Sequence, residues 1–181
     1  MKKFLSVKTI AVFLILALSV VAFVACVKPT PEDNNEDDKT PAYAIPEFEL
    51  KIKDGESEYT VTKSDVSSLS FASASRTSKG VTTYYKGFLL SDILELKNIA
   101  IQGITSVTID DGDYDSDLEA ENISSCVLAT VASATEAGGY VIMTTPESNP
   151  EDPEGPIRAV CTAEDTEFKS IKNAVNITIN R

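Results

Sequence analysis

Several groups of side chains in this sequence carry functional groups at suggestive spacings. The densest is Asp110-Asp111-Gly112-Asp113-Tyr114-Asp115-Ser116-Asp117-Leu118-Glu119. With Asp111 as position 1, Asp113, Asp115 and Asp117 fall at positions 3, 5 and 7, which opens like a calcium loop. The pattern then breaks. Ser116 stands where the loop needs glycine, and Asn122 stands where it needs a bidentate glutamate. A solvated turn relieved by Gly112 fits better, and no metal site is expected. Gly155-Pro156-Ile157-Arg158 offers a guanidinium whose planar fork suits phosphate or carboxylate, unless Arg158 pairs with Glu154 or another acid. Tyr84, Tyr85 and Tyr114 supply rings for a ligand groove or half-buried strand positions. Cys126 and Cys161 sit in apolar runs; buried thiols, a disulfide and a redox pair all remain open. Ser73, Ser75 and Ser78 lie near Lys79 without the spacing of a Ser-Lys dyad. No catalytic residue is nominated.

Composition narrows the chemistry further. The chain has no histidine, which removes Ser-His and Cys-His nucleophiles and imidazole acid–base work near neutral pH. It carries 16 basic and 28 acidic side chains, a formal charge of −12. Lys2, Lys3 and Lys8 lie in an acid-free opening stretch, so the remainder stands at −15. Such a surface repels a phosphate backbone, and no nucleic-acid partner is expected. With 181 residues, one domain plus short appendages is the natural organisation.

The opening stretch reads as an address. Lys2 and Lys3 form a basic start, and from Ile10 to Ala25 every residue except Ser19 is apolar. The run is close to the roughly 17 residues a membrane span needs, so an uncleaved anchor is the alternative. It stops at Ala25-Cys26, however, and Phe23-Val24-Ala25-Cys26 resembles a bacterial lipobox. That resemblance implies a signal peptide over 1–25, cleavage before Cys26, and a thiol carrying diacylglycerol and palmitate-type chains. Two acyl chains hold where one does not, since each buried methylene contributes about 0.8 kcal/mol. The partner is then the membrane, and the location its extracytoplasmic face. Residues 26–46 follow as an acidic, proline-rich tether with Pro29, Pro31, Pro41 and Pro46, too poor in apolar surface to fold.

Residues 47–181 must position the candidate groups. Phe48 to Lys53 alternates, Asp54-Gly55 turns, and Tyr59-Thr60-Val61 resumes, which predicts a hairpin. Thr62 to Asp65 predicts a helical turn capped by Ser64, and Ser91 caps a second helix through Leu96. Strands are expected over Leu69–Ser75, Val81–Tyr85, Ile104–Ile109 and Cys126–Val131, then Tyr140–Met143, Ile157–Cys161 and Val175–Ile179. Tyr140–Met143 reads as buried. Thr145–Pro156, with four prolines and four acids, reads as a long exposed loop. The fold class is α+β: a β-rich mixed-sheet domain with two or three short helices.

In order along the chain, several pieces match a family pattern. Tyr85-Lys86-Gly87-Phe88-Leu89-Leu90-Ser91-Asp92-Ile93-Leu94, Val107 to Tyr114, Gly155-Pro156-Ile157-Arg158-Ala159-Val160 and Phe168 to Ile179 together resemble the small sulfite-oxidase-type, molybdopterin-binding oxidoreductase domain. The resemblance implies a β-grasp-like element, molybdopterin as cofactor, and a cofactor side around the strand before the Tyr85-to-Leu94 signature, the Asp111-Gly112 turn and the Gly155-Pro156-Ile157-Arg158 strand. It also implies a cysteine thiolate on molybdenum before Tyr85, where this chain has Phe71-Ala72-Ser73-Ala74-Ser75-Arg76. A serine hydroxyl does not replace a soft thiolate. Export through a Lys2-Lys3 signal also delivers an unfolded, empty chain, whereas such enzymes are loaded before export through a twin-arginine signal. The expectation is therefore a non-catalytic binding module with no cofactor. Its ligand is an anionic or polar molecule, or a cell-surface protein, met by Arg76, Tyr85, Tyr114 and Arg158. The rivals are a molybdopterin-dependent oxidoreductase and a calcium- or carbohydrate-dependent surface module.

Overall fold

The structure, a computed structural model, describes residues 43–143, 155–164 and 166–181. The apolar opening run, Cys26, most of the tether and most of the Thr145–Pro156 loop lie outside them. Alternation makes the first hairpin: β1 (Glu49–Asp54) and β2 (Ser57–Thr62) pair antiparallel about Gly55, whose φ of 60° suits glycine. Next come α1 (Lys63–Val66), β3 (Ala72–Ser78), β4 (Val81–Leu89) and α2 (Leu90–Leu96). β5 (Ser106–Asp110) and β6 (Asp115–Glu119) form another hairpin, followed by a 3₁₀ turn at Ala120–Ser125. β7 (Cys126–Ser133), β8 (Val141–Ile142), β9 (Arg158–Cys161) and β10 (Asn176–Asn180) complete the described strands. The domain is α+β and β-rich, with mixed strand directions and short helices.

Two sheets share one core. The first has the order β2-β1-β10-β5-β6, with β10 parallel to β1 and antiparallel to β5. Its alternating inner residues include Leu50, Ile52, Val107, Ile109, Leu118 and Ile177, each fully buried. They meet Phe88 and Leu128 of the second sheet and Ile93 and Leu94 of α2. The second sheet runs β3-β4-β7, and both β8 and β9 pair with the remaining edge of β7. In a flat sheet β3 and β9 would stand about 14 Å apart, three strand spacings. Instead their Cα atoms come within 8 Å, so the sheet curls nearly into a barrel. Ala74, Tyr85, Val127, Ala129, Met143 and Val160 form a second, smaller core on its concave side.

The curl has a local cause. The β4–β7 register slips between Lys86 and Gly87, leaving Thr130 as an extra residue on β7. A Cβ at Gly87 would fall on the Leu128 carbonyl and the Ala129 Cα, so only glycine lets the strands close here.

Several expectations are corrected. The folded domain starts before residue 47: Tyr43 packs edge-on to Phe71 and Tyr140, and Ile45 joins the main core. Helix α1 is capped from Thr62 rather than Ser64, because the Asp65 carboxylate accepts from both the Thr62 backbone N–H and its Oγ1, each at 2.8 Å. Helix α2 begins at Leu90, before Ser91, since buried Leu90 belongs to its core-facing stripe. It ends where Asn98 takes φ of 58°. Tyr140–Met143 is not a buried strand. Only Val141–Ile142 pairs, and these two are 65% and 45% exposed, because β9 already occupies most of the β7 edge.

Asp65 also receives the Lys97 ammonium at 2.9 Å, and with the Thr62 bonds this lowers its pKa to about 2. A carboxylate held below its unfolded value stabilises the fold above about pH 4, and that contribution disappears as pH falls towards 2. The urea midpoint should therefore drop across this window, and Asp65→Asn should flatten the drop. An equally steep fall in the variant would assign it to other carboxylates.

Candidate functional site

The open end of the curled sheet is a cavity of about 540 Å³. Its wall is built by register. Arg76 and Ser78 lie on the face of β3 that carries Ala74, and Tyr85 lies across from Ala74 on β4. Arg158 projects from β9 opposite Ala129 of β7. Thr83, Tyr85 and Ala132 complete the strand wall beside them. Val141, Ile142 and Met143 form an apolar side, and Lys172 arrives from the turn after the Ala159–Ile171 bridge.

Three cationic side chains, Arg76, Arg158 and Lys172, line the cavity. The Arg158 guanidinium lies 5.6 Å from the Tyr85 ring centre, within cation–π range. Its Nε donates to Ser170 Oγ at 2.9 Å, and that hydroxyl donates to the Ala159 carbonyl at 2.8 Å. Arg158 is only 5% exposed, so its position is set by packing rather than by solvent. Arg76 stands at the exposed rim. The arrangement offers charge-assisted donors on one side and apolar surface on the other. Among the described residues that line it, none is a general base or nucleophile with an activating partner.

Three of the four expected residues, Arg76, Tyr85 and Arg158, therefore line one cavity. Tyr114 does not join them. It sits in the β5–β6 turn of the other sheet, 53% exposed, beside Asp110, Asp113 and Asp115. In that turn Asp111 Oδ1 accepts the backbone N–H groups of Asp113 and Tyr114, and Asp110 Oδ1 accepts from Gly112 and Asn176. The carboxylates thus organise the turn. Among the described residues no group of three His, Cys, Asp or Glu side chains stands together as a metal site.

Lys172, Thr83 and the Val141–Met143 edge were missed in the sequence. Lys172 reaches the cavity through a non-local bridge, which leaves no local pattern. Exposed Val141 and Ile142 were legible as an apolar run but not as a rim.

The donor set does not fit molybdenum. Cys126 and Cys161 pack on the main core, on the opposite face of their strands from Arg158, and burial pushes the Cys126 thiol well above its ordinary pKa. Among the described residues no cysteine faces the cavity. Among the described residues no helix is long and apolar enough to cross a membrane. A scan against protein-family models matches none, and a search of curated proteins returns no match.

Proposed function

We propose that this chain is a membrane-anchored, extracytoplasmic lipoprotein whose folded domain is a non-catalytic binding module. Its ligand is a small anion with an apolar or aromatic portion, held in the mouth of the curled sheet. One observation carries the reading: Arg76, Arg158 and Lys172 line a single cavity with Tyr85 and an apolar edge in a chain of net charge −12. The volume lies in the range of small-molecule sites, about 300–1,000 Å³. Background charge of one sign is screened beyond about 8 Å at physiological salt, so local cations govern a small ligand while polyanions are repelled. Apolar Ile10–Ala25 ending at Cys26 supports the anchor. The first sheet, with β10 at its centre parallel to β1, supports the β-grasp-like element.

Phenyl phosphate is a suitable probe, because it joins an anion to a ring. Calorimetric titration should show one site that weakens as salt rises. Arg76→Ala, at the exposed rim, should weaken binding about tenfold, as loss of one charge-assisted contact does, with unchanged thermal melting. No saturable binding, or binding indifferent to Arg76→Ala, would sink the site. Intact mass of the membrane-extracted protein tests the anchor: it should lack residues 1–25 and carry acyl chains on Cys26.

A further inference from the structure

We infer that Cys126 and Cys161 are a disulfide-forming pair that locks β9 to β7. They are direct register partners on antiparallel strands, both free thiols here. Their pairing type follows from a hydrogen bond beside them. Thr162 N–H donates to the Ser125 carbonyl at 2.9 Å, and Thr162 Oγ1 reaches the same oxygen at 3.1 Å. Ser125 and Thr162 are therefore the hydrogen-bonded pair, and antiparallel alternation makes Cys126 and Cys161 the non-hydrogen-bonded pair. In such pairs the Cα atoms are about 4.5 Å apart, inside the window of about 4.4–6.8 Å found for disulfides. Both side chains lie against the main core on the same face. Bridging needs only a rotation about Cα–Cβ and a sub-ångström approach of the Cβ atoms.

Exposure sets the order of events. Cys161 is half-buried and Cys126 fully buried. The Cys161 thiolate attacks a small-molecule disulfide, forming a mixed disulfide and expelling one thiolate. Cys126 then loses its proton and attacks the Cys161 sulfur, forming the internal bond and expelling the second thiolate. Two protein thiols are oxidised, and one external disulfide is reduced to two thiols. The sulfurs face away from the cavity, so the bridge ties down the strand that bears Arg158 without entering the binding site. Export as proposed above would supply an oxidising compartment. The test supplies the oxidant directly, so it stands or falls apart from that location.

The full chain carrying Cys26→Ser keeps only these two thiols. After incubation with oxidised glutathione, thiols titrated in denaturant should fall from two to none. Intact mass should drop by two hydrogens with no glutathione attached, and the chain should stay monomeric on a non-reducing gel. Adding Cys126→Ser should instead leave one glutathione held on Cys161. Retention of both thiols, stable glutathione on the two-cysteine chain, or dimers linked between chains would each overturn the pair.

Discussion

Gly87→Ala should destabilise the domain by about 3 kcal/mol, the top of the usual range for an added core methyl. The new Cβ meets the Leu128 carbonyl and Ala129 Cα, which are backbone atoms of a strand paired on both edges. No side chain can rotate away. The β4–β7 pair must separate at the bulge, and the shift passes to Tyr85 on β4 and, through Ala129, to Arg158 on β9. The urea midpoint should therefore fall with little change in slope, and phenyl phosphate binding should weaken as well. Gly55→Asn is the contrast. Gly55 has φ of 60° and opens onto free space where a side chain would stand, and asparagine accepts that backbone, so the cost should stay below about 1 kcal/mol. A Gly87→Ala loss as small as that would show that the strands part readily.

Oxidation of Cys126 and Cys161 should raise the unfolding free energy by about 4 kcal/mol relative to the reduced chain. Chain-entropy arguments give about 3 kcal/mol for short closed loops and about 4.7 for long ones, and the Cys126–Cys161 loop lies between them. Any strain on closing subtracts from this value. Oxidised and reduced samples of the Cys26→Ser chain, compared by urea unfolding, give the difference directly. The gain should vanish in Cys161→Ser. Equal midpoints for a fully oxidised and a reduced sample would mean that native strain cancels the loop term.

What could be read beforehand was what the chain writes locally. Alternation through Phe48–Lys53 and the Asp54-Gly55 turn specified β1 and β2, because their partners lie a few residues apart. The apolar run from Cys126 emerged as a buried strand for a different local reason, since an unbroken apolar run bounded by polar residues marks burial on both faces even though its partners on β4 and β9 are distant in sequence. Tyr140–Met143 carries a similar run and emerged exposed at two positions, since hydrophobicity does not say which strand edge is already taken. Ser64 and Ser91 were plausible caps, yet Thr62 and Leu89 precede the helices, because the reach of Asp65 and the burial of Leu90 set the starts. Arg76, Tyr85 and Arg158 were grouped by a family resemblance rather than by spacing. Their meeting in one cavity depends on a curl and a bulge that no short window contains. Tyr114 failed to join because its turn belongs to the other sheet.

The place of β10 bears on how this domain can be made. Asn176–Asn180 lie between β1 and β5, so without them the first sheet is two separate hairpins with nothing between. Its β1 partners, Lys51 to Asp54, stand more than a hundred positions earlier, and closing so long a loop delays folding. Removing Asn176–Asn180 would take away the one strand among the described residues that bridges the two hairpins. A chain still emerging from the ribosome without β10 therefore has two hairpins where the first sheet will be, and not yet that sheet. Closure of the first sheet waits until β10 slots into the gap between the two hairpins, whatever the second sheet has already formed.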